Sequence, residues 1–276
     1  IVAMVPVSDA HVCPPSLILP GFIDLQVNGY GGFDFNDPAI EVSGVRECVA
    51  QLWEAGITAI LPTVITNAFD VTEKILKKIC EAVNSDTLLR GSILGVHLEG
   101  PYISPRNGPR GAHELRFVRN PDLSEWEKMQ EAAGGLIRVI TLAPELSGAM
   151  EFIERVSSQG VVVAIGHTSA SPETISEAIS RGAKLVTHIG NGVHEYLHRH
   201  DSYIWEQLSR DELWASMICD GVHLPDRVIR SVLRCKGVSK TVLISDSLSA
   251  AGLQPGECAH FAGIDIKILE DGRIVR

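Results

Sequence analysis

The sequence predicts an α/β fold, a (β/α)8 TIM-type barrel with a small β-strand appendage formed by the chain ends. Three observations predict it: eight short β-branched runs, amphipathic stretches of helix length between them, and polar titratable residues at one end of nearly every run. Strands alternating with helices pair in parallel through right-handed crossovers, and eight such units close into a barrel. An open doubly wound sheet is the rival. Its dinucleotide turn is missing, because Gly29-Tyr30-Gly31-Gly32 lacks the spacing and the following helix of that motif.

The strand runs fall near 20–28, 57–65, 92–98, 136–142, 161–166, 184–189, 214–219 and 240–245. Helical patterns occupy about 42–55, 70–83, 122–133, 147–159, 172–181, 201–210 and 225–235. Ser171-Pro172-Glu173-Thr174 opens one of them with a capping serine and a first-turn proline. Seven helices therefore follow eight strands, and the eighth is absent. Residues 1–19, rich in Val and Pro, read as part of the β appendage, residues 20–255 as the barrel, and residues 256–276 as a strand segment with a turn at Asp271-Gly272. The chain starts at Ile1 and stops on a strand-like run, so both ends are expected to be incomplete, with a further C-terminal region beyond Arg276.

A chain of 276 residues that is 45% hydrophobic can bury one large core. With 24 Lys and Arg against 34 Asp and Glu, its net charge of −10 argues against nucleic-acid or anionic-membrane partners. The six cysteines are scattered without a close pair, which points to a reducing, cytoplasmic setting. No apolar run reaches the roughly 18–20 residues of a membrane span, and no secretory signal pattern opens the sequence.

The strand ends carry the chemistry. In the first strand, Asp24, Gln26 and Asn28 share a face, as do His97 and Glu99 in the third. The later strands end at Glu145, His167, His188, His223 and Asp246. One such residue alone reads as a cap or a satisfied core group. Glu99, His167, His188, His223 and Asp246 on five strands of one barrel read as a site. Two imidazoles and a carboxylate, Glu99, His167 and His188, form a catalytic metal set that leaves a position open for water. Asp246 is the candidate proton carrier and His223 the candidate for polarising an acyl oxygen. The loop from Tyr102 to His113, rich in Pro and Gly, reads as a functional wall.

Pro20–Gly29, His97-Leu98-Glu99-Gly100-Pro101, Gly111-Ala112-His113, Leu142-Ala143-Pro144-Glu145, Gly166-His167-Thr168, Thr187-His188, Asp220-Gly221-Val222-His223 and Ser245-Asp246 resemble, in order, the motifs of N-acetylglucosamine-6-phosphate deacetylases of the amidohydrolase superfamily. The resemblance covers about residues 19–253. It implies a cytoplasmic, usually dimeric enzyme that hydrolyses the N-acetyl amide of an amino-sugar phosphate. It assigns the metal to Glu99, His167 and His188, the acid/base to Asp246, and substrate contacts to Ala112, His113, Asn191, Gly192, Arg199 and His223. Arg199 would clamp the phosphate, in its own subunit's site or in a neighbour's. Superfamily members with two histidines on strand one bind a second ion, whereas Gln26 and Asn28 stand here. Amides are poor ligands for zinc-like ions, so one divalent ion per site is expected, zinc ahead of iron, manganese or cobalt. His97 has no ligand role in the family and falls behind the site.

The chain departs from the family pattern at Ile189-Gly190-Asn191-Gly192-Val193-His194-Glu195. A change there bears on substrate identity and leaves open another N-acyl amino sugar or an N-acyl amino acid. A sugar-phosphate sensor without catalysis is the alternative outside enzymes, disfavoured by the intact ligand set and proton carrier. His194, His198 and His200 match no single helix face and are not read as a second metal site.

Overall fold

The computed structural model describes residues 19–271 and 273–275 of the chain. Strand β1 (Phe22–Val27) leads into a tight hairpin, β2 (Gly29–Tyr30) and β3 (Phe33–Asp34), then helix α1 (Val42–Glu54) and β4 (Ile57–Ile65). Next come α2 (Phe69–Ser85), a short α3 (Thr87–Ser92), β5 (Val96–Glu99), α4 (Leu123–Ala132), β6 (Ile137–Leu142), α5 (Ala149–Ser158) and β7 (Val162–Ile165). They are followed by α6 (Pro172–Ser180), β8 (Ala183–Val186), α7 (Tyr203–Ser209), β9 (Trp214–Ile218), α8 (Asp226–Lys236) and β10 (Thr241–Ile244). The last strands, β11 (Cys258–Phe261), β12 (Ile264–Ile268) and β13 (Ile274–Val275), form a separate antiparallel sheet.

Eight parallel strands run in the order β1-β4-β5-β6-β7-β8-β9-β10, the nearly closed barrel of the TIM type. Each helix earns its place by one apolar stripe. In α2, Thr72, Ile75, Leu76, Ile79, Ala82 and Val83 recur at three- and four-residue spacing and are buried, while the lysines between them face water. The outward faces of the strands pack on these stripes through Val64, Leu98, Ile140, Val163, Val186 and Met217. The barrel interior is filled by Leu61, Val139, Ala164 and Leu185, with Leu25 against them. A filled lower interior leaves only the upper end of the barrel for polar groups.

The barrel closes between β1 and the segment after β10. Asp246 N donates to the Gln26 carbonyl (2.9 Å) and Asn28 N to the Ser247 carbonyl (2.9 Å). Asp24 reinforces the seam: one carboxylate oxygen accepts from Gln26 N and the other from Ser245 N, each at 3.1 Å. Burial pushes the Asp24 carboxyl up, and the bonds from Ser245 and Gln26 pull it back.

All eight expected strands and all seven expected helices form, with two differences. The third barrel strand starts at Val96 rather than near 92, because Asp86 caps α3 by accepting from Leu88 N and Leu89 N. Residues that read as the start of a strand are thus taken by a turn of helix. The hairpin β2–β3 was not expected; it turns the chain back so that Asp34 accepts from Ala262 N (2.7 Å) and ties the β11–β12 turn to the barrel. The three-stranded sheet packs Ile266 and Ile268 on Ala250. Residues 1–18, and with them the expected N-terminal part of the appendage, lie outside the described residues. Among the described residues no helix follows β10, and Leu243 on its outer face is 63% exposed. No described helix is long and apolar enough to cross a membrane.

Replacing Asp24 by Ala strips two N–H groups, one buried and one half-buried, of their acceptor. A loss of about 2–4 kcal/mol follows, against about half of that for Asp24→Asn, which keeps one acceptor. Urea unfolding of the two variants measures the difference.

Candidate metal centre at the barrel mouth

Glu99, His167 and His188 stand at the ends of β5, β7 and β8, and the barrel's curvature turns all three inward. One carboxylate oxygen, Glu99 Oε1, lies 3.0 Å from His167 Nε2 and 2.9 Å from His188 Nε2, and the two nitrogens are 3.0 Å apart. All three residues are buried, Glu99 and His188 at 3% exposure. Ligands around a tetrahedral ion with 2.0–2.1 Å bonds are separated by about 3.3 Å, close to the spacing seen.

The hydrogen-bond pattern supports the same conclusion. His167 Nδ1 donates to the Pro109 carbonyl (2.8 Å), so without a second proton on the ring its Nε2 faces the carboxylate bare. His188 Nδ1 is buried with no partner among the described residues. Lone pairs facing lone pairs at 3 Å require either extra protons or a cation between them. The donor set, two imidazoles and a carboxylate, therefore fits a divalent ion. Burial would keep the Glu99 carboxyl protonated, but the bonds and charges of His167 and His188 hold it well below the usual range. Burial likewise opposes charge on His188, yet the Glu99 bond and the charges of Glu99 and Asp246 outweigh it and raise the imidazole to about 8.

Asp246 stands across the mouth after β10. Gln26 Nε2 bridges it to the ligand set, donating to Glu99 Oε1 (3.0 Å) and Asp246 Oδ1 (3.1 Å), while Asn28 Nδ2 donates to the same Asp246 oxygen (2.7 Å). Burial and the charge of Glu99 push the Asp246 carboxyl up to about 7, against the pull of His188, Asn28 and His223. The side-chain carbonyls of Gln26 and Asn28 are buried without partners among the described residues.

Strain marks the same positions. His167, His188 and Asp246 have φ of 49°, 30° and 51°, in the left-handed region that ordinary side chains avoid. Each costs about 1–3 kcal/mol and persists only where surrounding bonds over-determine it. Glu145 supplies some of that restraint, accepting from Thr168 Oγ1 (2.6 Å) and Ser169 N (2.7 Å) directly after His167. Ser216 Oγ accepts from His188 N (2.8 Å).

The residues expected to meet a substrate separate into two groups. Gly192 and His113 pack on the ligand set: a Cβ on Gly192 would lie 2.7 Å from His167 Nδ1, and His113 Nε2 is 3.3 Å from His167 Nε2. Asn191 is bound to His188 through its backbone N–H (2.9 Å) and holds a buried, unpartnered Nδ2 among the described residues. Ala112, Arg199 and His223 are exposed on loops around the mouth. The Arg199 guanidinium pairs with no carboxylate among the described residues; its carbonyl accepts from Trp205 Nε1 (3.0 Å). His223 Nδ1 is held by Asp220 (2.6 Å), which leaves Nε2 free of that bond.

Sequence reasoning put His97 behind the site but missed the hydrogen-bonded scaffold it belongs to. His97 Nδ1 donates to the Leu25 carbonyl (3.1 Å) and Nε2 accepts from Thr141 Oγ1 (2.7 Å), which meets Thr187 Oγ1 (2.6 Å). Burial pushes His97 down to about 4, which keeps it neutral and suits this donor–acceptor role. The chain crosses the barrel beneath Gln26, Glu99 and His188. Its signal in the sequence is a polar residue on an otherwise apolar strand, His97 two positions before Glu99, Thr187 one before His188, and Thr141 near the end of β6.

The sequence pattern of the amidohydrolase family matches residues 17–272. The Bos taurus N-acetylglucosamine-6-phosphate deacetylase is 36% identical over 255 residues, covering 88% of this chain and 60% of that protein. The N-acetylgalactosamine-6-phosphate deacetylase of Shewanella sp. (strain ANA-3) is 32% identical over 260 residues, 94% of this chain and 63% of that protein. The chain thus spans about 60% of the length of its curated relatives. Among solved structures, a mutant N-acetyl-D-glucosamine-6-phosphate deacetylase from Mycobacterium smegmatis, in complex with N-acetyl-D-glucosamine-6-phosphate, superposes with a TM-score of 0.82 at 27% identity. That match covers 95% of this chain and 68% of the other.

Gly192→Ala tests the packing of the mouth. The new methyl is driven into the His167 ring at a backbone angle of φ 58°, so divalent-ion affinity is expected to fall by about tenfold or more, the scale set by disturbed ligand orientation. Calorimetric titration of the metal-stripped protein reads it.

Proposed function

This chain belongs to the amidohydrolase family, and from that premise we propose that it hydrolyses the N-acetyl amide of an amino-sugar 6-phosphate, N-acetylglucosamine-6-phosphate first, to the free amine and acetate. The observation that carries the reading is one buried carboxylate oxygen shared by two imidazoles, with a second carboxyl held across the mouth by amides from β1. The names of its relatives support the substrate class. Residues 20–255 would be the catalytic unit and 256–276 part of a β appendage. The protein is expected to act as a homodimer in which Arg199 clamps the phosphate.

Glu99, His167 and His188 would hold one divalent ion, zinc ahead of iron, manganese or cobalt, which when bound supplies the Lewis acidity that activates water and polarises the acyl carbonyl. The chain's own residues do the rest. Asp246 takes the proton of the attacking water and returns it to the leaving nitrogen. Its carboxyl, pushed up to about 7, is matched to both transfers near neutral pH. Gln26 and Asn28 spend their N–H groups on Oδ1 of Asp246, which leaves Oδ2 for the proton. His223, fixed through Nδ1 by Asp220, offers Nε2 to the acyl oxygen. Glu145 and Ser216 hold the backbones of the two ligand histidines against their strain. Ala112, Asn191 and Gly192 shape the wall beside the acyl group.

A second reading keeps the chemistry and changes the sugar. The relatives include a galactosamine enzyme, and the divergent loop 189–195 lies at the mouth. Acetate release from the gluco- and galacto-epimers, each with and without phosphate, separates the two; Arg199→Ala should erase the preference for phosphate.

Stripping the metal should abolish acetate release, and one equivalent of divalent ion should restore it. Full activity in the stripped protein would overturn the reading. Asp246→Asn should lower kcat by about 10²–10⁴, with metal content and substrate binding retained, as stopped assays and calorimetry would show.

A further inference from the structure

His113 is held inside the protein, against the ligand set. It is 6% exposed, and both ring nitrogens are engaged inside the protein: Nδ1 with Thr66 Oγ1 (2.9 Å) and Nε2 with His167 Nε2 (3.3 Å). Thr66 Oγ1 in turn reaches the Glu99 carbonyl (3.4 Å), so when that hydroxyl donates there, His113 Nδ1–H donates to Thr66 and Nε2 is a bare lone pair. His167 Nε2 is bare as well, since its Nδ1–H is spent on Pro109. The donor atoms of Glu99, His113 and His167 all lie within 4.8 Å of one another and all three residues are buried. They form a second set of two imidazoles and a carboxylate, overlapping the first along the Glu99–His167 edge.

We propose that His113 is a metal ligand, and that Glu99, His113 and His167 make a second position for the same divalent ion, alternative to the one completed by His188. The inference rests on the reading that this centre holds a divalent ion. Nε2 of an imidazole has one lone pair and serves one ion at a time, so sharing His167 makes the positions exclusive. The site binds one ion, in either of two places that share the Glu99–His167 edge. Gly111 lies against the His167 ring, where a Cβ would sit 3.3 Å from Cε1, so the loop that carries His113 is packed against the ligand it shares.

Two exclusive positions have additive association constants, which makes the contribution of His113 visible once His188 is gone. The test is cobalt(II) titration of the metal-stripped protein, read by calorimetry and by the visible absorption of the bound ion. The proteins are wild type, His188→Gln, His113→Gln and the double variant, each checked for folding by circular dichroism. The wild type should bind one equivalent. His188→Gln should still bind one equivalent, about 10–10³-fold more weakly and with a changed absorption band, and the double variant should lose at least another tenfold. Thr66→Val in the His188→Gln background should weaken binding by freeing the His113 ring without removing a ligand atom. The proposal is overturned if His188→Gln binds no more tightly than the double variant, or if the wild type takes two equivalents at once. No binding by the wild type would instead overturn the metal reading of the whole centre.

Discussion

The mouth of this barrel depends on one oxygen atom. Glu99 Oε1 meets Gln26 Nε2, His167 Nε2 and His188 Nε2 within 3.0 Å, and the residue is 97% buried. An ionised carboxylate in such a place is tolerable only when it is bonded and its charge is answered. Every neighbouring feature serves that end. The carboxyl is held ionised by the two histidines, the histidines are oriented by Pro109 and Ser216, and Gln26 carries the influence of Glu99 across to Asp246. Two carboxyl groups in one mouth are thereby driven apart in acidity, one well below its ordinary range and one up to about 7. Such a split is the mark of a site that separates charge-holding from proton transfer.

The scaffold meets this constraint from below and from the sides. Beneath it, the Thr187–Thr141–His97 chain ends on the Leu25 carbonyl and ties β8, β6, β5 and β1 together where the polar layer meets the apolar one. At the sides, the left-handed backbone at His167, His188 and Asp246 swings each side chain off its strand and into the mouth. An extended backbone would continue the alternation of the strand instead. The strain is therefore what converts strand-end residues into convergent ones.

The barrel was legible in the sequence because its signals are local. An apolar run such as Ile57–Ile65 has only one way to be buried on both faces, and a stripe such as Ile75, Leu76 and Ile79 has one period. Helix α3 was not legible, since Thr87–Ser92 owes its helical turn to the Asp86 cap more than to any periodicity. At the site, the residue types and their place at strand ends announced Glu99, His167, His188 and Asp246. What stayed hidden was whatever depends on rotation. Nothing in Gly111-Ala112-His113 says that Ala112 faces out while His113 turns inward against His167, because that follows from Gly111 at φ 58° and from the Thr66 hydroxyl contributed by another strand end.

The amides on β1 show how a small change of residue type redirects the same geometry. An imidazole at position 26 or 28 would present a lone pair to the mouth, where Glu99 and Asp246 already supply negative charge, and only a second cation could satisfy the three together. An amide presents N–H instead. Gln26 has two hydrogens on Nε2 and uses them on two carboxylates at 3.0 and 3.1 Å, which a single ring nitrogen cannot do. Asn28 adds a third bond, again to Asp246. The amides thus replace a cation's attraction with hydrogen bonds, and the proton affinity of Asp246 is raised by burial and by Glu99 against the pull of His188, Asn28 and His223. A second ion beside Asp246 would depress that affinity and remove its use as a carrier. The pair Gln26 and Asn28 is therefore consistent with the proposed arrangement, a single ion on the Glu99 side of the mouth and a proton carrier on the other.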